Sequence, residues 1–143
     1  MMRTRIAAFL VIGYTILLVY WMFFGFGRHA PDEDTPYRYN VIPLRTIADF
    51  ATMRIGTTMD QWINLLGNVV VFVPFGLLIP VVRSVRVLPF AGAFALFILV
   101  LEILQLITRR GTFDVDDIVL NTLGACLGYG ILHGVRHLLI RRK

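Results

Sequence analysis

The sequence predicts an all-α integral membrane protein with four transmembrane helices and one short interfacial helix. Two observations carry that prediction. The 143-residue chain is 57% hydrophobic and only 16% charged, with a mean hydropathy of +0.74, whereas a soluble domain is nearer a quarter charged. Its apolar residues are also gathered into four long runs, 6–27, 62–82, 87–107 and 118–140. Each approaches the roughly 20 residues needed to cross a hydrocarbon core of about 30 Å. Backbone groups in lipid must be satisfied within their own segment, so each run is expected to be a helix. The length fits a single domain over 1–143.

The first run, 6–27, carries no charge and follows Arg3 and Arg5. It is longer than the roughly 7–15 residues of a signal-peptide core, so a retained helix is expected. A long loop follows. Its opening, "HAPDEDTPYRYN", has prolines and acids and reads as exposed turns. Its middle has helical period: Leu44, Ile47, Ala48, Ala51 and Ile55 share one face, and Arg45 and Asp49 are spaced i,i+4 on another. A segment of about 44–56 is too short to span, and the expectation is a helix lying on the membrane interface. In the second run Pro74 removes a backbone donor and predicts a kink, while Gly76 admits a close neighbour. In the fourth, Gly124-x3-Gly128 and Gly130-x3-Gly134 predict close helix packing.

The charges predict an orientation. Four spans put both termini on one side, with Arg3, Arg5, Arg83, Arg86, Arg136, Arg141, Arg142 and Lys143 and no acid. The other side holds six arginines and eight acids. Lys and Arg near span ends mark the cytoplasmic face, so the termini are expected in the cytoplasm. The pI near 10 follows from those span-end residues, and no nucleic-acid partner is expected. Cys126 stands alone and forms no internal disulfide. His133 and His137 share the cytoplasmic end with Arg136 and read as interfacial anchors. There is no P-loop, HExxH, Ser/His/Asp or Cys/His constellation, no EF-hand and no motif for a metal or cofactor.

The costly residues are polar ones inside the runs. Gln61, Asn64 and Asn68 share one face of the second span. Glu102, Gln105 and Arg109 share one face of the third, and Asp117, Asn121, Gly124 and Gly128 one face of the fourth. At 1.5 Å per residue, Asn68 lies about 10 Å below Gln61, Glu102 about 9 Å below Thr108 and Asn121 about 6 Å below Asp117. Three stripes are therefore polar at one depth, in the outer half of the membrane, and turning them toward one another is the simplest arrangement. A carboxylate at a span centre costs roughly 2.5–3.5 kcal/mol. Glu102 offsets that either as an anion beside Arg109 or Arg110, or as a neutral acid bonded to Asn64 or Asn68.

The pieces "NVIPLRTI" (Asn40–Ile47), "NLLGNVVVFVPFGLLIP" (Asn64–Pro80) and "LEILQLITRRGTFDVDDIVLNTLGACLGY" (Leu101–Tyr129) resemble the VanZ-like family of bacterial membrane proteins. The order G-N-x4-F-x-P-x-G, E-x2-Q, D-x-D-D-x3-N carries the resemblance. It implies a multi-pass protein of the bacterial cytoplasmic membrane, associated with low-level resistance to teicoplanin and related lipoglycopeptides. By motif position it implies Asn64, Asn68, Pro74, Glu102, Gln105, Arg109, Asp114, Asp117 and Asn121 as the residues of interest.

The expected function is an outward-facing polar pocket that binds a lipid-linked head group, a lipid-linked cell-wall precursor or a lipoglycopeptide. Arg109 and Arg110 suit phosphate or carboxylate, and Asn64, Asn68, Gln105 and Asn121 suit sugar or amide groups. Asp114 and Asp117 would orient the arginines or hold a divalent ion bridging to phosphate. Two rivals stand beside it. One is an enzyme acting on a lipid-linked envelope intermediate with Glu102 as general acid or base, which lacks a recognisable nucleophile. The other is an accessory protein in which the polar residues hold helices together.

Overall fold

The computed structural model describes residues 1–25, 36–52 and 58–141, except the side chains of Thr58, Asp60, Gln61 and Asn64. The order is α1 (Met2–Phe24), β1 (Arg38–Asn40), α2 (Arg45–Ala51), α3 (Thr58–Val70), α4 (Val73–Val82), α5 (Val87–Ile107), β2 (Thr112–Asp114) and α6 (Val115–Arg141). Four helical stretches, Met2–Phe24, Leu65–Val82, Val87–Ile107 and Val115–Arg141, are long and apolar enough to cross a membrane. Helix α6 is the hub, packing on α3, α4 and α5, while α1 leans on α4. Phe72, Phe75, Phe90 and Phe94 form a buried aromatic column in the core, flanked by Ile98 and Ala125. Phe9, Ile12, Ile16, Leu96, Val119, Leu123, Leu127 and Ile131 are exposed. A helix apolar on its outer face as well as its inner one is built for lipid.

Where the sequence predicts a kink in the second span, the structure has a full break. α3 ends at Val70 and α4 starts at Val73. Pro74 sits in the first turn of α4, where its missing N–H would have no helical partner anyway. Across the break Phe72 N–H turns back to Val69 O (3.2 Å) and Phe75 N–H to Phe72 O (3.2 Å). That leaves the Val71 carbonyl to be satisfied from elsewhere, and the Tyr14 hydroxyl of α1 donates to it at 2.9 Å.

Glycines set how closely α6 approaches this broken span. A Cβ at Gly124 would collide with the Val69 carbonyl, one at Gly128 with the Val73 carbonyl, and one at Gly76 with the Ala125 carbonyl. The backbones are in direct contact at all three. The second expected small-residue pair behaves differently: no atom lies within 4 Å of a Cβ built at Gly130 or Gly134, so among the described residues that pair mediates no contact.

A two-stranded sheet also departs from the all-helical expectation. β1 and β2 pair in parallel, with Arg38 opposite Thr112, Tyr39 opposite Phe113 and Asn40 opposite Asp114. Strands of three residues joined across more than seventy positions leave no periodic signal in sequence. The helix expected over 44–56 is present as the seven residues of α2, and residues 53–57 lie outside the described ones.

Gly128→Ala should lower stability by at least about 1–3 kcal/mol, because a methyl group must displace backbone. Gly134→Ala should be neutral or stabilise by up to about 1 kcal/mol, since it gains helix propensity in open space. Thermal melting of the two purified variants in one detergent checks the contrast, and equal shifts would contradict the packing described.

Candidate functional site

The site is built at the end of the bundle that carries the sheet. α5 stops there in a six-residue Schellman closure: Arg110 N–H bonds Gln105 O and Arg109 N–H bonds Leu106 O, both at 3.1 Å. The residue that must turn left-handed is usually glycine, and here it is Arg109, with φ 54°. Such a conformation costs a side chain roughly 1–2 kcal/mol. The two arginines then part. The Arg109 guanidinium lies 4.4 Å from the Tyr37 ring centre and donates to the Tyr37 hydroxyl at 3.2 Å. The Arg110 guanidinium lies 4.7 Å from the Phe24 ring centre and donates to Phe23 O at 3.3 Å. Gln105 Nε2 donates to Met22 O at 3.0 Å. Arg110 and Gln105 thus satisfy carbonyls at the C-terminus of α1, where a cation also suits the helix dipole.

Three acids organise the start of α6. Asp114 is its N-cap, with Oδ1 accepting from Asp116 N–H at 2.9 Å. The same carboxylate accepts from Asn40 Nδ2 (3.1 Å) and from the Thr46 hydroxyl (2.5 Å). Asp116 is fully buried. Its two oxygens accept from Leu44 N–H (2.5 Å) and Ile47 N–H (3.2 Å), at the start of α2. Leu44 is itself left-handed, with φ 65°, so the Asp116 bond holds a strained residue in place. Glu102, 1% exposed, accepts the Asp114 N–H on Oε2 at 3.0 Å. That contact explains a carboxylate within an apolar run: it receives the amide that opens α6.

Below this clasp is a cavity of about 630 Å³ between α1, α3, α5 and α6. Asn68, Glu102, Gln105, Asp117 and Asn121 face it from one side, and Tyr14, Leu17, Trp21 and Met22 of α1 from the other. Asn68 Nδ2 donates to Asp117 Oδ1 at 2.5 Å. Asn121 is 2% exposed, and its Oδ1 has no hydrogen-bond partner among the described residues.

Five of the residues that the sequence selects are therefore brought together around one cavity, from three helices. The side chain of Asn64 lies outside the described residues. Arg109 and Arg110 lie at the same end but do not line the cavity. Among the described residues Asp114 is bonded to Asn40, Thr46 and the Asp116 amide and to no arginine. At Asp117 the bond described comes from Asn68. Glu102 binds the Asp114 amide, a partner beyond those expected from the sequence. Sequence reasoning also passed over Asn40, Thr46, Asp116 and Tyr37. The first three fall inside "NVIPLRTI" and D-x-D-D, so the signal was two motifs present together, without a means of pairing them.

Asp116→Ala removes the acceptor of two backbone amides from a buried place and should cost about 3 kcal/mol. Asp49→Ala breaks only the 3.8 Å surface pair with Arg45 and should cost under about 0.5 kcal/mol. Melting temperatures of both variants in detergent test the difference. Similar small shifts would mean that Asp116 does not anchor α2.

The VanZ/LLP1 family model matches residues 11–139. A curated relative, Protein VanZ of Enterococcus faecium, is 38% identical over 82 residues, covering 52% of this chain and 49% of the relative. The chain thus spans about half the length of the curated relative that it matches. No solved structure matches it. The match of the family model over nearly the whole chain, with the broken second span and the D-x-D-D clasp inside it, places this multi-pass membrane protein in the VanZ/LLP1 family.

Proposed function

We propose that the cavity beneath the clasp binds the polar head of a lipid-tailed molecule, either an envelope lipid or a lipoglycopeptide, and that binding contributes to tolerance of teicoplanin-type antibiotics. The observation that carries this is the composition of the cavity wall. Five polar side chains converge in it, while α1 supplies an apolar and aromatic side. A cavity of that kind suits an amphiphile. Residues that serve only to hold helices together satisfy one another, as Asp114 and Asp116 do with Asn40, Thr46 and the amides of α2. Arg109 stands outside the cavity wall, at the same end of the bundle, where a strained backbone holds its planar cation over Tyr37.

The orientation that suits this function puts the sheet end outside the cytoplasmic membrane. The eight basic residues of the opposite end support it. α2 would then lie along the outer interface as part of the cover.

In intact cells, Thr112→Cys should react with a membrane-impermeant maleimide and Ser84→Cys should not. Labelling of Ser84→Cys would reverse the orientation and remove the outer site.

Arg109→Gly separates binding from stability. Glycine takes the left-handed position without strain, so the variant should melt at or above the parent, by up to about 1 kcal/mol. Arg109→Lys keeps the charge without the planar fork. Both should lose whatever teicoplanin tolerance the parent confers on a sensitive host, at normal protein levels. The proposal fails if every inactive variant of the polar set is also poorly folded, or if the parent changes no envelope phenotype.

A further inference from the structure

We infer that a second lipid site lies toward the opposite end of the bundle. There the groove between α1, α4 and α5 takes one acyl chain of an anionic phospholipid, and Arg83 and Arg86 take its phosphate. This site is separate from the cavity beneath the clasp. The groove has a volume of about 240 Å³ and is open on one side. Val11 and Thr15 of α1, Ile79 of α4 and Phe90 and Ala93 of α5 line it, over the buried rings of Phe75 and Phe94. It exists because α1 packs on α4 and only slightly on α5. The hydroxyl of Thr15 donates to Val11 O at 2.7 Å, within its own helix, so it is already satisfied. Such a wall gains by dispersion contact with hydrocarbon, and in a membrane a lipid chain supplies it.

The charge at one end of the groove selects the lipid. Arg83 lies one helical turn beyond Ile79, and Arg86 one turn before Phe90, since Arg83 N–H bonds Ile79 O and Phe90 N–H bonds Arg86 O, both at 3.0 Å. Both arginines are exposed. The chain has no Asp or Glu in 1–31, 61–101 or 118–143. Along α5 the nearest acid to Arg86 is Glu102, roughly 24 Å away at 1.5 Å per residue, beyond the ~10 Å reach of a screened charge. The protein thus leaves this positive charge unneutralised. The turn that carries it is held in place: the Tyr129 hydroxyl of α6 donates to Val85 O, between the two arginines, at 2.9 Å. Guanidinium groups fixed in this way suit a phosphate, and a head with net negative charge gains more there than a zwitterion.

The test uses the full chain purified in an uncharged maltoside detergent. Phosphatidylglycerol and phosphatidylcholine with the same acyl chains are titrated separately, and bound lipids are counted by native mass spectrometry. One phosphatidylglycerol should bind about tenfold more tightly than phosphatidylcholine. Arg83→Gln combined with Arg86→Gln should remove most of that preference and melt near the parent, since both side chains are exposed. Ala93→Leu and Thr15→Leu fill the groove from α5 and from α1. Each should weaken both lipids several-fold and leave their ratio unchanged. Equal binding of the two lipids to the parent overturns the proposal. A preference for phosphatidylglycerol with an affinity that neither groove variant weakens also overturns it, because surface charge alone would then attract the head. Uptake of many phosphatidylglycerols with no tighter first one has the same consequence. Displacement of the lipid by an equal concentration of glycerol phosphate would overturn the lipid source.

Discussion

Everything at the sheet end depends on how the first turn of α6 is satisfied. A helix start exposes unpaired amides and a partial positive charge. Here Asp114 caps the helix, Asp116 reaches back to the amides of α2, and Glu102 takes the Asp114 amide. Four separate stretches of chain, from β1, α2, α5 and α6, are thereby tied at one point. In a medium with little water, each of these bonds is hard to replace. The clasp therefore fixes how α5 and α6 meet beside the cavity.

The second constraint is the direct backbone contact between α6 and the broken span. Gly124, Gly128 and Gly76 bring carbonyls of α3, α4 and α6 against one another. That contact sets the depth at which Asn121 faces Asn68 and Asp117, because all lie within two turns of Gly124 or Val69. The break at Val71–Phe72 adjoins the same cavity, and Tyr14 closes its freed carbonyl from α1. Irregular backbone in a membrane is tolerated where it borders a cavity and finds a donor.

The four apolar runs were legible because lipid imposes a length and a composition. The third run and α5 share the same bounds, Val87–Ile107. The polar stripes were legible through helical period, and Asn68, Glu102, Gln105, Asp117 and Asn121 do share one cavity. What sequence could not convey is contact between loops. Nothing in "RYN" or "TFD" announces a parallel pair, and the fate of the arginines turned on Tyr37, Phe23 and Phe24, which no periodicity links to them. Pro74 was legible as a disruption but not as a break, since the outcome depended on a hydroxyl from another helix. Gly130 and Gly134 matched a packing motif without a partner to pack on, because a spacing pattern does not specify which face a neighbour occupies.

The pairing of β1 with β2 bears on how the protein is made. Asn40 meets Asp114 only after 74 further residues have been synthesised, and Asn68 meets Asp117 only after 49. At about 5–20 residues per second, the first loop waits roughly 4–15 s for its partner. During that interval the polar face of α3 must shelter against the insertion machinery or the aqueous boundary. Closure of the sheet end is therefore set by the arrival of the fourth span.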